Sequence, residues 1–139
     1  MYTITKSYRF EAAHRLIAPY SGKCNSVHGH SFRISLSLSA NELNACDMVE
    51  DFSALKPVGD WIMAHLDHAT LVADSDQSLL EWLKDNKQKH FLVSGNPTSE
   101  IVAKIIFDQA QLLGFTLEKV NVSETCTASA AYSPSSLSF

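Results

Sequence analysis

Two stretches near the N-terminus alternate between apolar and polar residues. From residue 2 to residue 12 the apolar side chains fall mostly on even positions. In "HSFRISLSLS" one face carries Phe32, Ile34, Leu36 and Leu38. Because successive side chains of a strand point to opposite faces, this period of two predicts two β-strands. The segment between them, "APYSGKCNS", contains a proline, a glycine and an asparagine and is predicted to be a loop.

Helical spacing of apolar residues predicts two helices further along the chain. The first covers "DFSALKPVGDWIMAHL", with Asp51 or Ser53 as its cap. The second begins at "NPTSE", where Asn96 is expected to cap and Pro97 to take the first helical position, and Gly114 is expected to end it. Two weaker strands are predicted in "LEKVNVSET" and "SAAYS".

The order of these elements predicts an α+β fold. A four-stranded antiparallel sheet would carry two helices on one face. We expect one domain over residues 1–139, with an irregular insert at 72–95 in which "SLLEWLKDN" could form a short extra helix. Such a sheet has two open edges, and self-association is one way to cover them.

The composition narrows the classes of partner. The chain is 45% hydrophobic and 19% charged, which is typical of a globular protein, and its net charge of −4 argues against nucleic acid or an anionic membrane as a main partner. No stretch resembles a signal peptide or a membrane span. The cysteines Cys24, Cys46 and Cys126 lie far apart without a CxxC pair, so we expect a reduced, cytoplasmic protein.

The stretch "CNSVHGH" suggests a metal site. His28 and His30 are two residues apart and share the even parity of the apolar face, and His14 has the same parity on the first strand. If the two strands form an antiparallel ribbon, the three imidazoles converge. Three neutral imidazoles are a good ligand set for catalytic zinc, with a fourth position open. The alternative is a polar strand start, since HxH alone is a weak signal.

Three further residue types suggest acid–base chemistry at the same place. Cys24 lies four residues before His28, and its thiol suits a general base or nucleophile. In "LDH", His68 could act as acid or base with Asp67 orienting it. The alternative is an ordinary helix end, where the helix dipole favours His68. Both interpretations remain open on residue spacing alone.

Glu124 shares parity with Val120 and Val122, so its carboxylate is expected on a buried face. A buried carboxylate needs a partner. That partner could be a lysine or arginine of the same chain or of a neighbouring subunit. It could also be a ligand with paired N–H donors, such as the amino-pyrimidinone edge of a pterin or guanine.

Six motifs in order resemble those of one enzyme family. "FEAAHRL", "CNSVHGHSF", "DFSALK", "LDHATL", "NPTSE" and "ETCTASAAY" are similar to the successive motifs of the 6-pyruvoyltetrahydropterin synthase/6-carboxytetrahydropterin synthase family. The resemblance extends over nearly the whole chain except residues 72–95. It implies the tunnelling fold (T-fold), whose subunits trimerise into a barrel, with two trimers stacked as a homohexamer and active sites between subunits.

The resemblance also implies roles for the residues of this chain. The implied ligands of one Zn²⁺ per subunit are His14, His28 and His30. The implied catalytic residues are Cys24, Asp67 and His68, with Glu124 as the pterin anchor. For the triphosphate of the implied substrate, Lys23 and Arg15 flank the site, whereas Arg9 and Arg33 have odd parity and are expected to face away.

The Cys24–His28 spacing, "NPTSE" and "ETCT" resemble the bacterial 6-carboxytetrahydropterin branch, which serves queuosine and 7-deazapurine biosynthesis. This implies a zinc-dependent lyase that converts 7,8-dihydroneopterin triphosphate to 6-carboxy-5,6,7,8-tetrahydropterin, acetaldehyde and triphosphate. The alternatives are pyruvoyltetrahydropterin formation from the same substrate, a non-catalytic zinc-stabilised oligomer that binds pterins, and a cysteine hydrolase.

Overall fold

Within residues 1–135, the protein consists of a mixed sheet of six strands and three helices. The computed structural model describes residues 1–135, so the end of the predicted domain, 136–139, lies outside the described residues. The strands are β1 (Tyr2–His14), β2 (His28–Ala40), β3 (Ala69–Ala73), β4 (His90–Val93), β5 (Lys119–Thr125) and β6 (Ala128–Tyr132). The helices are α1 (Lys56–His65), α2 (Gln77–Asp85) and α3 (Ser99–Leu112), and short 3₁₀ turns cover Lys23–Asn25 and Phe52–Leu55.

Strands β1 and β2 form a long antiparallel ribbon. Their register runs without a break from Tyr2 opposite Ala40 to His14 opposite His28. The even-numbered residues of both strands face the helices, and the rings of Phe10 and Phe32 stack there with centroids 4.9 Å apart. The period-two prediction for these strands is therefore confirmed, including which face is buried.

The sheet has six strands in the order β4-β3-β1-β2-β5-β6, and it is not wholly antiparallel. The four predicted strands are present, but β3 pairs parallel to β1, and β4 pairs parallel to β3. The expected four-stranded antiparallel sheet is therefore wrong by two strands. Both extra strands are only four or five residues long, too short for their periodicity to distinguish a strand from a buried helix segment.

The segment 72–95, predicted to be an irregular insert, is regular. It holds the end of β3, all of α2 and all of β4. Parallel neighbours cannot be joined by a tight turn, so a connection such as α2 is required between them. The suggested short helix in "SLLEWLKDN" is confirmed.

Helices α1 and α3 lie on one face of the sheet, as predicted, and enclose the main core. The core includes Phe10, Phe32, Ile34 and Leu36 of the sheet, Val58 and Ile62 of α1, and Val102 and Ile106 of α3. Helix α2 packs instead on the opposite face of β3, since its Leu80 and Leu83 contact Val72, whereas the preceding Leu71 joins the main core. No helix within residues 1–135 has the length and apolarity needed to cross a membrane.

The start of α3 differs from the prediction. The cap is Thr98, whose hydroxyl accepts a hydrogen bond from the N–H of Ile101 at 3.3 Å. Asn96 instead binds the backbone of Ile17 in both directions, at 2.8 and 3.0 Å. The amide of Asn96 thus ties the loop after β1 to the start of α3. The end of α3 is as predicted, because Gly114 follows it with φ +98.

Candidate metal centre and active site

The register of the β1–β2 ribbon brings three histidines together at one end of the sheet. His14 lies opposite His28, and Ala12 lies opposite His30. The ring centroids are 4.7 Å apart for His14 and His28, 5.1 Å for His14 and His30, and 4.9 Å for His28 and His30. Potential ligand atoms of the three residues all lie within 4.8 Å of one another. The predicted convergence is confirmed, and this histidine cluster could hold a metal ion.

His14 is the buried member of the histidine cluster. Its Nδ1 lies 2.8 Å from the carbonyl oxygen of Pro97, just before the cap of α3. A carbonyl oxygen can only accept, so Nδ1 carries the proton and Nε2 is left as a ligand atom. Burial lowers the pKa of His14 below its usual range, with the neighbouring His28 and His30 lowering it further. At neutral pH the ring is therefore a neutral imidazole, the form that binds metals.

The other two histidines also have one ring nitrogen without a hydrogen-bond partner among the described residues. Nδ1 of His28 lies 2.6 Å from the carbonyl oxygen of Ser26, which leaves its Nε2 available. Nε2 of His30 is buried and has no hydrogen-bond partner among the described residues. Buried ring nitrogens are normally satisfied, so an unpartnered one beside two other imidazoles fits a ligand to a cation. Nitrogen donors of this type suit zinc.

Glu124 lies beside the histidine cluster. Its Oε2 is 3.8 Å from Nε2 of His30, and its Oε1 accepts a hydrogen bond from the hydroxyl of Ser99 at 2.7 Å. A register shift between Ser123 and Thr125 marks a bulge here, and bulges redirect side chains. The carboxylate is 30% exposed rather than buried, and no lysine or arginine in residues 1–135 pairs with it. It can therefore accept hydrogen bonds from a ligand.

Asp67 and His68 contact each other, as predicted. Helix α1 ends at His65, and His68 has φ +57, so the two adjacent side chains can meet. Oδ2 of Asp67 lies 2.7 Å from Nδ1 of His68, and Oδ1 accepts a hydrogen bond from the N–H of Glu11 at 2.9 Å. The hydrogen bond from Glu11 lowers the pKa of Asp67, with a smaller contribution from His68. Asp67 is thus an ionised group that orients His68.

His68 opens into a cleft of about 430 Å³ next to the histidine cluster. The cleft is also lined by Glu11, Ser31 and Lys89, and its wall includes His30. Cys24 is not among the described residues that line it. Within one chain, the structure brings Asp67 and His68 together but does not place Cys24 with them.

Cys24 is held in the 3₁₀ turn Lys23–Asn25. Its carbonyl oxygen accepts a hydrogen bond from the N–H of Leu16 at 2.8 Å, and its own N–H donates to the hydroxyl of Tyr20 at 3.3 Å. The ring of Tyr20 lies so close that a Cβ at Gly22 would be 2.3 Å from the phenol oxygen. A hydrogen bond with the Cys24 thiol raises the pKa of Tyr20. Sequence reasoning missed Tyr20, since nothing in the loop pattern places its ring over Cys24.

Arg15 was expected to flank the site as a free cation, but it is paired. Its guanidinium binds both carboxylate oxygens of Asp76, at 2.7 and 2.6 Å, and donates to the hydroxyl of Ser78 at 3.2 Å. The arginine holds the pKa of Asp76 below its usual range. This pair ties the segment after β1 to the start of α2, so Arg15 has a structural partner.

Nearly the whole described chain matches one known family. The family model described as 6-pyruvoyl tetrahydropterin synthase matches residues 3–135. A 6-carboxy-5,6,7,8-tetrahydropterin synthase of Synechocystis is 38% identical over 138 residues, which cover 95% of this chain and 93% of that protein. A protein of the same name from Bacillus subtilis is 30% identical, over 96% of this chain and 86% of that protein.

Solved structures agree with this assignment. The 6-pyruvoyl tetrahydropterin synthase of Caenorhabditis elegans superposes with a TM-score of 0.73 at 28% identity, over 96% of both chains. An uncharacterized protein of Wolinella succinogenes shares the fold with a TM-score of 0.81 at 22% identity, over 96% of this chain and 98% of that one. The expected tunnelling fold is confirmed. The chain belongs to the 6-pyruvoyl tetrahydropterin synthase family.

Proposed function

We propose that the protein is a zinc-dependent carbon–carbon lyase. It would convert 7,8-dihydroneopterin triphosphate and one molecule of water to 6-carboxy-5,6,7,8-tetrahydropterin, acetaldehyde and triphosphate, as a step in queuosine biosynthesis. The observation that carries the proposal is the cluster of His14, His28 and His30 beside the carboxylate of Glu124. The identity to proteins named 6-carboxy-5,6,7,8-tetrahydropterin synthase supports this product over others.

Each histidine would contribute one nitrogen to a single Zn²⁺. The carbonyl oxygens of Pro97 and Ser26 orient His14 and His28, and the unpartnered Nε2 of His30 completes the set. When bound, zinc supplies Lewis acidity that makes the side-chain hydroxyls of the substrate easier to deprotonate. Three protein ligands leave a position open for the substrate.

Glu124 would position the pterin. An ionised carboxylate can accept two parallel N–H bonds from an amino-pyrimidinone edge. The hydroxyl of Ser99 already holds one of its oxygens, so the orientation of the carboxylate is set before the ligand arrives. Anchoring the ring here would present the side chain of the substrate to the histidine cluster.

Cys24 and His68 would carry the proton transfers. The Cys24 thiolate would remove a proton from a side-chain carbon of the substrate, and His68 would return one on the opposite side. The carboxylate of Asp67 accepts a hydrogen bond from Nδ1 of His68. Nε2 is therefore the nitrogen that would take up and release protons. Triphosphate leaves early, and the later carbon–carbon cleavage releases acetaldehyde.

We also propose that the active site is shared between subunits of a homohexamer, built as two stacked trimers. Two observations support this assembly. Strands β4 and β6 are the outer strands of the sheet, and β-sheet edges are commonly covered by other chains. His68 is 77% exposed, and Cys24 of the same chain does not line its cleft, so a second chain would have to complete the set.

We propose that the protein is located in the cytoplasm and consists of one domain. Its partner would be a small-molecule substrate, with neither nucleic acid nor a membrane as a partner. The supporting observations are the net charge of −4 and the three cysteines without a pairing pattern.

The deciding experiment identifies the products. Zinc-loaded protein is incubated with 7,8-dihydroneopterin triphosphate, and the mixture is analysed by mass spectrometry. Carboxytetrahydropterin with acetaldehyde would support the proposal. Pyruvoyltetrahydropterin without acetaldehyde would overturn the product and support the alternative suggested by the similarity to the Caenorhabditis elegans enzyme.

Matched variants separate catalysis from binding. Cys24→Ala is expected to abolish turnover while zinc content stays the same, whereas Cys46→Ala, at an exposed cysteine outside the site, is expected to behave as wild type. If Cys24→Ala and wild type were equally without turnover but both bound pterin, the protein would be a non-catalytic binder. Turnover that persists after zinc removal would favour a cysteine hydrolase.

A further inference from the structure

The face of the sheet opposite α1 and α3 is unusually rich in hydroxyl groups. On β1 and β2 it carries the odd-numbered residues, and we call it the polar face. Three cross-strand hydroxyl pairs follow one another along the ribbon: Thr3 with Ser39 at 2.8 Å, Thr5 with Ser37 at 3.3 Å, and Ser7 with Ser35 at 3.1 Å. Beyond them, the hydroxyl of Ser31 donates to the carboxylate of Glu11 at 2.5 Å.

One cross-strand pair on the polar face does not consist of hydroxyl groups. Arg9 lies directly opposite Arg33, between the Ser7–Ser35 and Glu11–Ser31 pairs. Two like charges directly opposite each other on neighbouring strands destabilise a sheet. Neither guanidinium makes a salt bridge or a side-chain hydrogen bond to any residue in the range 1–135. The two arginines are therefore adjacent cations that lack a counter-ion.

The surroundings of the pair form a cavity of about 380 Å³ on the polar face. Ser123 lies next to Arg33 in the register of β2 and β5, and the cavity is also lined by Ser31 and Thr125. Two guanidinium groups with several hydroxyl donors make a typical receptor for phosphate oxygens, which accept bidentate hydrogen bonds from arginine.

Two carboxylates lie near this cavity, and neither forms an ion pair with the two arginines. Glu11 accepts a hydrogen bond from Ser31, and Glu124, which also lines the cavity, accepts one from Ser99 of α3. Neither lies within salt-bridge distance of Arg9 or Arg33. Neither arginine therefore has an ion-pair partner within the described part of the chain.

We propose that Arg9 and Arg33 form a binding site for a phosphate-bearing anion on the polar face of the sheet. An anion between the two guanidinium groups would replace their repulsion with two charge-assisted contacts. The site adjoins the histidine cluster through Glu124, which lines the cavity, and it does not depend on which pterin product is formed. The anion could be the triphosphate of a bound substrate or free triphosphate after its release.

The site is tested by measuring the affinity of the full chain for inorganic triphosphate with titration calorimetry. Zinc content is measured before and after, because triphosphate also binds metal ions. The double variant Arg9→Gln/Arg33→Gln is expected to bind at least about 10-fold more weakly. Arg9→Lys/Arg33→Lys, which keeps the charge but loses the bidentate geometry, should fall in between.

A control variant removes the same charge elsewhere. Lys84→Gln/Lys87→Gln changes two exposed lysines at the end of α2 and in the turn after it. It should bind triphosphate as tightly as wild type. The proposal is overturned if the arginine double variant binds like wild type, or if the lysine control loses as much affinity. Without triphosphate and at low salt, Arg9→Gln/Arg33→Gln should melt at or above the wild-type temperature, since the repulsive step is gone.

Steady-state kinetics distinguishes the two sources of the anion. If the pair binds the substrate, Arg9→Gln/Arg33→Gln raises KM for 7,8-dihydroneopterin triphosphate. If it binds released triphosphate, KM is unchanged and inhibition by added triphosphate is lost. Either result supports the site. A protein without turnover would contradict the proposed lyase, while the calorimetry would still decide the anion site.

Discussion

Nδ1 of His14, at the end of β1, lies 2.8 Å from the carbonyl oxygen of Pro97, just before α3. This single hydrogen bond joins two segments that are 83 residues apart in the chain. It sets the tautomer of the buried ring and directs Nε2 toward His28 and His30. The orientation of the proposed metal ligands therefore depends on the start of α3 as well as on the β1–β2 ribbon.

Replacing one ligand of the histidine cluster should abolish stable metal binding. His28 is the best choice, because it is less buried than His14 and its loss leaves the core intact. We expect His28→Ala to lower zinc affinity at least about 100-fold. Removing a ligand should cost more than removing a residue that only hydrogen-bonds a ligand. Metal content after dialysis, measured by mass spectrometry, would show this.

His90→Ala is the matched control for that experiment. Nδ1 of His90 lies 2.9 Å from the carbonyl oxygen of Gln88, two residues earlier, just as His28 relates to Ser26. It lies outside the cluster, so its removal should leave one zinc per chain. Equal zinc loss in both variants, or none in His28→Ala, would contradict the assignment.

The hydrogen bond between Tyr20 and the Cys24 thiol can be detected from the tyrosine. Because that bond raises the pKa of Tyr20, Cys24→Ala should lower the pKa of Tyr20 toward its ordinary value. Titration of ¹³Cζ-labelled tyrosine by NMR would measure the change. Cys46→Ala, which removes an exposed thiol elsewhere, should leave the titration of Tyr20 as it is in wild type. An unchanged Tyr20 in Cys24→Ala would show that the two groups do not interact in solution.

Removing the guanidinium of Arg15 would leave the buried carboxylate of Asp76 without its partner. We expect Arg15→Met to reduce the free energy of unfolding at pH 7 by about 1–2 kcal/mol, at the low end for charged hydrogen bonds because the arginine is partly exposed. Lys56→Met, which breaks an exposed ion pair with Asp60, should have no measurable effect. Urea unfolding of the three proteins gives the comparison.

The effect of Arg15→Met should also depend on pH. The pKa of Asp76 is lowered in the folded protein, so the stabilisation is complete above the ordinary aspartate pKa of about 3.9 and is lost as the pH falls through the folded-state value. The gap between wild type and Arg15→Met should therefore be largest near neutrality and narrow below about pH 4. A gap that stays constant with pH would exclude an ionic contribution.

Asp67→Asn should impair His68 without removing its contact. An asparagine can still accept the N–H of Glu11 through its oxygen, but its amide nitrogen cannot accept from Nδ1 of His68. The preferred tautomer of His68 would change, and we expect kcat to fall about 10²–10⁴-fold with KM nearly unchanged. Asp60→Asn, on the exposed side of α1, is the control. A change confined to KM would assign Asp67 to binding.

Periodicity alone was sufficient to predict the part of the fold that carries the histidine cluster. On β1 and β2 the alternation is long and one face is fully apolar, so a slip of one residue would expose Phe10, Phe32 and Ile34 together. That constraint determined the register, and with it the convergence of the histidines. The order of the six motifs likewise identified the family, whose model matches residues 3–135.

Tertiary structure decided what local pattern could not. Strands β3 and β4 are too short to carry a period. They form because β1 offers β3 a parallel partner, β3 offers one to β4, and α2 connects the two. The polar partners are also set by distant residues: Arg15 pairs with Asp76, and the side chain of Asn96 binds Ile17 instead of capping α3. Side-chain hydrogen bonds between residues far apart in sequence leave no periodic signal, so they emerge only when the chain is folded.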